Sequence, residues 1–181
     1  MRIHSNNFKK IAAEKGLDAT RLGEVVAREG LKGDRAVSAI GNWMRGSDHP
    51  RCKAEDIKKL AGALGVEVPK IAKFSAKFSF HRGSPRKAGL VAALIRGKKL
   101  ETAINLLTFT TKRAAVDVKQ ALMAAQADAE QADADIDRLF VSESSVNAGP
   151  VLKRFHQKDR GRAHAIHKKM SHITVALTEK N

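Results

Sequence analysis

The sequence is short of the residues that support several common kinds of protein. It has one cysteine, Cys52, no tyrosine and one tryptophan among 181 residues, so a disulfide framework and a cysteine-based zinc site are both excluded. The scarcity of aromatic residues argues against modules that bind single-stranded nucleic acid by stacking many bases. No apolar run approaches the roughly 20 residues of a membrane-spanning helix, and the start MRIHSNNFKK lacks the apolar core of a signal peptide. These absences predict a soluble, cytoplasmic protein with no membrane partner.

Positive charge is the dominant property of the chain. There are 34 Lys and Arg residues against 19 Asp and Glu, which gives a net charge of +15 and a pI near 10.3. Such an excess attracts polyanions, so nucleic acid is the leading class of partner. The cations concentrate in residues 77–99, which contain no acid, and in residues 153–169, where Asp159 is the single acid. The acids between Asp128 and Asp137 form a separate negative patch.

The first 70 residues show the apolar spacing of helices and no strand pattern. Ser5 to Asn7 and Asp18 are suited to cap helices, and glycines follow the apolar segments where helices end. The predicted helices are Phe8–Lys15, Asp18 to the residues before Gly30, Asp34–Gly46 and Lys53–Leu64. A short turn near Val66–Ala72 follows, and Pro69 within it marks a boundary. The sequence therefore predicts an all-α first domain over residues 1–72.

Beyond residue 72 the pattern mixes strands with helices. Ser84 and Pro85 form a helix start, and the apolar stripe predicted for that helix consists of Leu90, Val91, Leu94 and Ile95. A long helix is predicted from Thr111 to Glu130, capped by Thr110 and buried through Ala114, Val118, Ala121, Leu122 and Ala125. The remaining predicted elements are a helix at Leu100–Leu107 and strands at Lys73–Phe80, Leu139–Val146, Pro150–Gln157 and Ala163–Leu177. These elements predict an α+β second domain over residues 73–181.

The segment Val151–His172 is the most informative stretch. It has strand-like ends around the turn Arg160-Gly161-Arg162 and few large apolar residues between them. Two arms of about ten residues would project roughly 30 Å at 3.3 Å per residue. Without a core to pack on, we expect this basic ribbon, residues 153–169, to be poorly ordered alone and to neutralise phosphates among folded RNA helices. A mobile surface loop with incidental charge is the alternative.

Several strings from about Lys73 to Lys180 resemble the bacterial large-subunit ribosomal protein L22 family. They are SPRKAGLVAALIRGKKLETAINLL, FTTKRAAVDVKQAL, GPVLKRF, RGRA and SHITV, in the family's order and spacing. The resemblance implies a small α/β domain with a three-stranded antiparallel sheet, helices and a long protruding β-hairpin at Gly149–Val175, with its tip at Gln157–His164. It also implies that the protein binds 23S rRNA, assists subunit assembly and lines the peptide exit tunnel with its hairpin. The tip differs from the family's usual run because it lacks a proline and carries Asp159.

The charge pattern and the resemblance together predict a set of rRNA-binding residues. These are Arg82, Arg86, Lys87, Lys98, Lys99, Lys112, Arg113, Lys153, Arg154, Lys158, Arg160, Arg162, His164, Lys168, Lys169 and His172. Neighbouring large-subunit ribosomal proteins are the other expected partners, and the chain is expected to be a monomer within the ribosome. We predict no cofactor, no metal and no catalytic residue, since the histidines near the end lack a cysteine or a close carboxylate partner in sequence.

The segment from Phe8 to Ile71 resembles a lambda-repressor/Cro-like helix-turn-helix domain. The matching strings are FKKIAAEKGLDATRLGEVV, AVSAIGNWMRG and EDIKKLAGALGVEV. The resemblance implies that Arg35, Ser38, Asn42 and Arg45 lie on the nucleic-acid-facing side of the third helix. A DNA-binding regulator that carries a ribosomal RNA-binding module is therefore the alternative function, and an enzyme acting on RNA is a third. We favour a structural rRNA-binding protein whose first domain lies on the ribosome surface, because most of the charge lies outside that domain.

Overall fold

The computed structural model describes residues 1–179. Residues 180 and 181, the end of the predicted second domain, lie outside the described residues. The chain is of the α+β class, as predicted, and it forms two compact units. The first unit contains residues 1–74, 128–138 and 178–179, and the second unit contains residues 75–127 and 139–177.

The first unit is mainly helical. Its elements are β1 (Arg2–Ile3), α1 (Ser5–Glu14), α2 (Ala19–Val25), α3 (Asp34–Met44), α4 (Ala54–Leu64) and α5 (Val68–Ile71). Helix α3 packs against α1 and α2, and α4 packs against α2 and α5. The largest fully buried side chains of this unit are Phe8, Leu22, Ile40, Trp43, Ile57, Leu60, Leu64, Ile71 and Phe74. Burial of Trp43, whose Nε1–H donates to the Pro50 carbonyl oxygen at 2.7 Å, confirms that this residue belongs to the core.

Three helical features of the first unit differ from the prediction. Helix α2 ends at Val25 and not just before Gly30, because the backbones of Arg28 and Leu31 are hydrogen-bonded to each other. Helix α1 begins at Ser5, not at Phe8, because His4 is the cap: its Nδ1 accepts a hydrogen bond from the Asn7 backbone N–H at 3.2 Å. Burial lowers the pKa of His4, and the nearby charge of Lys73 lowers it further, which keeps that ring nitrogen available as an acceptor near neutral pH. The predicted turn after residue 66 instead contains the single helical turn α5.

The second unit combines helices with the longer strands. Its elements are β2 (Ala72–His81), α6 (Pro85–Ile95), α7 (Leu100–Phe109), α8 (Ala114–Glu130), β3 (Leu139–Gln157) and β4 (Ala163–Glu179). The first residues of β2 and the last residues of α8 and β4 belong to the first unit. Helix α6 packs on β3 and α7. Among the described residues the antiparallel sheet has the order β1-β2-β4-β3. It has one strand more than the predicted three because the two-residue β1 pairs with Ala72 and Lys73 at the start of β2.

Two boundary predictions for the second unit were wrong in detail. The two strands predicted at Leu139–Val146 and Pro150–Gln157 form the single strand β3, since β3 lies at the sheet edge, where a proline without an N–H is tolerated. Helix α8 begins at Ala114 and not at Thr111, because Thr110 ends α7 and residues 111–113, a bend followed by a turn, are not helical.

The apolar stripe predicted for α6 was half wrong. Leu90 and Leu94 are exposed, whereas Ala88, Val91, Ala92 and Ile95 are buried. The alanines allow the helix to lie close to its neighbours, so the buried face is rotated away from the two leucines. The large apolar side chains therefore did not mark the buried face on their own.

Candidate nucleic-acid interface

The start of α6 is built around a close approach of the backbone to a buried histidine. A Cβ placed on Gly83 would lie 2.2 Å from Nε2 of His81, so only glycine fits at this position. The buried His81 ring is itself held by a hydrogen bond between its Nδ1 and the carboxylate of Asp117 in α8. This arrangement fixes Arg82 and Ser84 at the N-terminal end of α6, where helix N–H groups and the helix dipole favour an anion.

A first cleft joins the start of α6 to the base of the basic ribbon. It has a volume of about 520 Å³. The described residues that line it are Arg82, Gly83, Ser84, Leu152, His167, Lys168, Lys169 and Met170. The fold thus brings together cations about 85 positions apart in sequence, which charge counting alone had placed in separate clusters.

A second cleft extends the same surface toward the turn between α7 and α8. It has a volume of about 620 Å³ and contains the predicted residues Arg82, Lys87, Lys112 and Arg113. Its other described lining residues are His81, Gly83, Ser84, Leu90 and Ala114. Arg82 lines both clefts, and no carboxylate is among the described residues that line either of them. The two clefts can therefore accept phosphate groups without a negative charge in their walls.

The basic ribbon consists of the outer parts of β3 and β4, and each of its residues from 153 to 169 is exposed. The tip is closed by a hydrogen bond from the Lys158 backbone N–H to the Arg162 carbonyl oxygen, at 2.8 Å. Arg160 and Gly161 turn the chain with φ angles of 55° and 70°. The predicted cations on the ribbon are Lys153, Arg154, Lys158, Arg160, Arg162, Lys168 and Lys169, together with His164. The prediction of a projecting hairpin with no core of its own agrees with this exposure.

Other predicted residues of the second unit lie apart from the two clefts. Lys98 and Lys99 occupy the exposed turn after α6, which is held to β3 by hydrogen bonds from the Gly97 N–H to the Val141 carbonyl and from the Val141 N–H to the Lys98 carbonyl, both 2.9 Å. They line neither cleft. Arg86 is exposed in the first turn of α6. His172 lies on β4 and accepts a hydrogen bond at Nδ1 from the Phe80 backbone N–H at 3.2 Å.

Two of the residues predicted to face nucleic acid in the first unit, Asn42 and Arg45, are hydrogen-bonded to each other. Arg35 and Ser38 line a hollow of about 390 Å³ together with Asn42. The side chain of Asn42 donates from Nδ2 to the His49 carbonyl at 2.9 Å, and its Oδ1 accepts from Arg45 at 2.8 Å. Reading a base bidentately would require Asn42 to give up these contacts.

Cys52, the one thiol, is buried immediately before α4. Burial raises its pKa to about 12, and the nearby carboxylates of Asp56 and Asp48 contribute to this rise. The thiol is therefore protonated at neutral pH and is a poor nucleophile. Within residues 1–179, no group of three His, Cys, Asp or Glu side chains is placed to hold a metal ion. No helix in the same part of the chain has the length and apolarity needed to cross a bilayer.

Sequence reasoning missed the exposed aromatic residues of the second unit. Phe80 is 58% exposed, Phe155 on the ribbon is 80% exposed and Phe109 is 85% exposed. Phe155 could have been recognised, because it lies in the string KRFHQ with no apolar neighbour. Phe80 could not, since strand spacing places it on the same face as the buried Phe74.

Comparison with known proteins matches the second part of the chain. The family described as Ribosomal protein L22p/L17e matches residues 76–178. The large ribosomal subunit protein uL22 of Syntrophotalea carbinolica is 51% identical over 106 residues, which cover 58% of this chain and 96% of that relative. The uL22 proteins of Geobacter sulfurreducens and Geobacter metallireducens are 49% identical over 107 residues and 48% identical over 106 residues, covering 59% and 58% of this chain and 96% of each relative.

Proposed function

The chain belongs to the ribosomal protein L22p/L17e family, and from that premise we propose that it is a structural component of the cytoplasmic large ribosomal subunit. In this proposal it binds 23S rRNA, assists subunit assembly and lines the peptide exit tunnel with its hairpin. Its relatives are named as large-subunit proteins. The proposal includes no catalytic step, and its other partners are neighbouring large-subunit proteins.

One observation carries the RNA-binding part of the proposal: separate basic segments converge on the two clefts. The start of α6 brings Arg82, the end of the ribbon brings Lys168 and Lys169, and the turn before α8 brings Lys112 and Arg113. Each phosphate neutralised by such a side chain releases condensed counterions, which drives binding through the entropy of the salt. The arrangement of these cations is therefore best suited to bind consecutive phosphates of an RNA backbone.

The basic ribbon supports the second part of the proposal. Its exposed strands bury no apolar core, so in water it gains little from folding. Between RNA helices its cations would find phosphates on more than one side, and the gain would offset the entropy lost when the ribbon is ordered. We therefore assign the ribbon to contacts with separate rRNA segments, and its tip, residues 157–164, to the tunnel wall.

The test is the salt dependence of binding between the purified full chain and large-subunit rRNA. We expect log affinity to fall steeply with log salt, by roughly 0.7–0.9 for each phosphate engaged. Arg82→Gln removes a cation that lines both clefts, so the slope should become shallower by about that amount for each phosphate that the variant no longer neutralises.

Lys119→Gln is the matched control for that test. It also removes one cation from the second unit, but Lys119 is half-buried, donates to the Thr108 hydroxyl at 2.9 Å and lines neither basic cleft. Its salt slope should equal that of the unmodified chain. A flat salt response of the unmodified chain, or equal slopes for all three proteins, would overturn the proposed use of the clefts.

A further inference from the structure

The exposed Phe80 ring contacts the half-buried His172 ring, and each residue lies two positions from a residue that lines the first cleft. The Phe80 and His172 rings have centroids 4.9 Å apart and planes 79° apart, which is an edge-to-face arrangement. The Phe80 backbone N–H also donates to Nδ1 of His172, at 3.2 Å. Phe80 remains 58% exposed, so much of its side chain is open to a ligand.

The backbone of Phe80 is held in a conformation that a phenylalanine rarely adopts. Its φ angle is 61°, in the left-handed region that glycine occupies at little cost and a bulky side chain does not. The exposed ring recovers little of that cost through burial. Strain of this kind is retained where the surrounding structure fixes a side chain for a purpose other than packing.

The His172 ring is confined on its other side by a close approach of β3. A Cβ on Gly149 would lie 3.2 Å from Nε2 of His172 and 3.2 Å from the Met170 carbonyl carbon. The bare glycine leaves room for the histidine ring, and the Phe80 N–H fixes its orientation. Phe80 therefore rests against a ring that cannot readily move away.

We propose that the Phe80 ring, braced by His172, is a stacking platform for one unpaired base of the RNA that the second unit binds. This inference rests on the proposed function and identifies a further contact within it. An aromatic face accepts any of the four bases because each base has a π-face. The scarcity of aromatic residues excludes a module that stacks many bases, but a single platform needs only one ring.

The position of the platform suits a nucleotide whose phosphate enters the first cleft. Phe80 precedes Arg82 by two residues and His172 follows Met170 by two, and both Arg82 and Met170 line that cleft. Met170 and His172 both lie in β4, where two residues span about 7 Å, which is on the scale of a single nucleotide. A base on Phe80 would therefore place its own or its neighbour's phosphate near Arg82 and Lys169.

The test compares Phe80→Gly, Phe80→Trp and Phe80→Leu in the full chain, with large-subunit rRNA as the probe. Phe80→Gly removes the ring and the backbone strain together, so we expect its urea midpoint to be unchanged or higher. Its affinity for rRNA should fall roughly 5- to 150-fold, with the salt slope unchanged because the cations that neutralise phosphates all remain. Phe80→Trp should keep the affinity, and Phe80→Leu should lower it as Phe80→Gly does.

The control is Phe109→Ala, which removes an even more exposed phenylalanine that lines neither basic cleft and lies in α7. Its affinity should equal that of the unmodified chain. Unchanged affinity of Phe80→Gly, or full affinity of Phe80→Leu, would overturn the platform while leaving the proposed function intact. If the unmodified chain fails to bind rRNA, the proposed function falls, and this inference falls with it.

Discussion

At Gly83 the backbone passes so near the His81 ring that a single methyl group has no space. The ring is buried and bonded to Asp117, so it cannot move aside without breaking that hydrogen bond. We expect Gly83→Ala to lower the free energy of unfolding by about 1–3 kcal/mol, the usual cost of overpacking. The measurement is urea denaturation followed by circular dichroism.

Gly89 supplies the opposite case in the same helix. A Cβ there would meet no atom within 4 Å, so Gly89→Ala should raise the free energy of unfolding by about 0.5–1 kcal/mol through helix propensity. If both alanine variants gained stability, the close packing of Gly83 on His81 would be contradicted.

For single residues, the sequence identified the cations suited to bind RNA but did not identify which of them lie together in the folded chain. Arg82 and Lys168 were both predicted to bind RNA, but nothing in the sequence places them in one cleft, since strand pairing and the position of α6 decide that. Phe80 is exposed and has a left-handed backbone angle, and residue spacing encodes neither feature. The charge of a residue can be read from the sequence, whereas the grouping of cations in one cleft and the backbone strain at Phe80 arise only when the chain folds.

Among the elements, the hairpin offers the clearest separation of stability from function. Replacing residues 158–162 by Asn-Gly, a sequence suited to a two-residue turn, shortens the tip and removes three cations. All of the replaced residues are exposed, so the free energy of unfolding should change by no more than about 0.5 kcal/mol. Incorporation into large subunits that survive a high-salt wash should nevertheless fall.

A variant that keeps the length of the tip separates its shape from its charge. Lys158→Gln, Arg160→Gln and Arg162→Gln together leave the turn intact and remove the same three cations. Reduced incorporation of both variants would assign the effect to charge, and reduced incorporation of the shortened one alone would assign it to reach. Unfolding of the isolated shortened chain would contradict the view that the tip carries no part of the core.

The helices show where pattern reading succeeds and where it fails. In α8 the predicted buried positions Ala114, Val118, Ala121, Leu122 and Ala125 are all buried, whereas the apolar residues Val116 and Met123 of the same helix are exposed. In α6 both faces carry apolar residues, so spacing could not decide between Leu90 with Leu94 and Ala88 with Ala92. The choice depends on how closely neighbouring elements approach, and alanine permits the closer packing.

For the whole molecule, the open question is what the first unit contributes. Residues 1–70 carry 14 basic and 9 acidic side chains, net +5, so the greater part of the positive charge lies elsewhere. The helix-turn-helix resemblance stays a prediction, and the internal hydrogen bonds of Asn42 disfavour specific base reading. We therefore propose that this unit covers rRNA or a ribosomal protein next to the main binding site.

The uL22 protein of Geobacter sulfurreducens is a natural control for that proposal, because the match covers 96% of it and 59% of this chain. Hydroxyl-radical footprints of the two proteins on the same large-subunit rRNA should share one protected region. This chain should protect additional nucleotides, and the residues before the matched part should account for that extra protection. Identical footprints combined with a defined DNA site for the full chain would instead support the regulator alternative.

The exposure of the ribbon also limits how long a surplus copy can persist. Its tip holds Lys158, Arg160 and Arg162 around a solvent-facing turn, and exposed turns are preferred places for proteolytic nicking. A protease that cleaves after basic residues would therefore cut a free molecule there first, whereas surrounding RNA would shield an installed one. In the proposed function, the ribbon that binds rRNA would therefore also be the first site of cleavage in a copy that is not bound to rRNA.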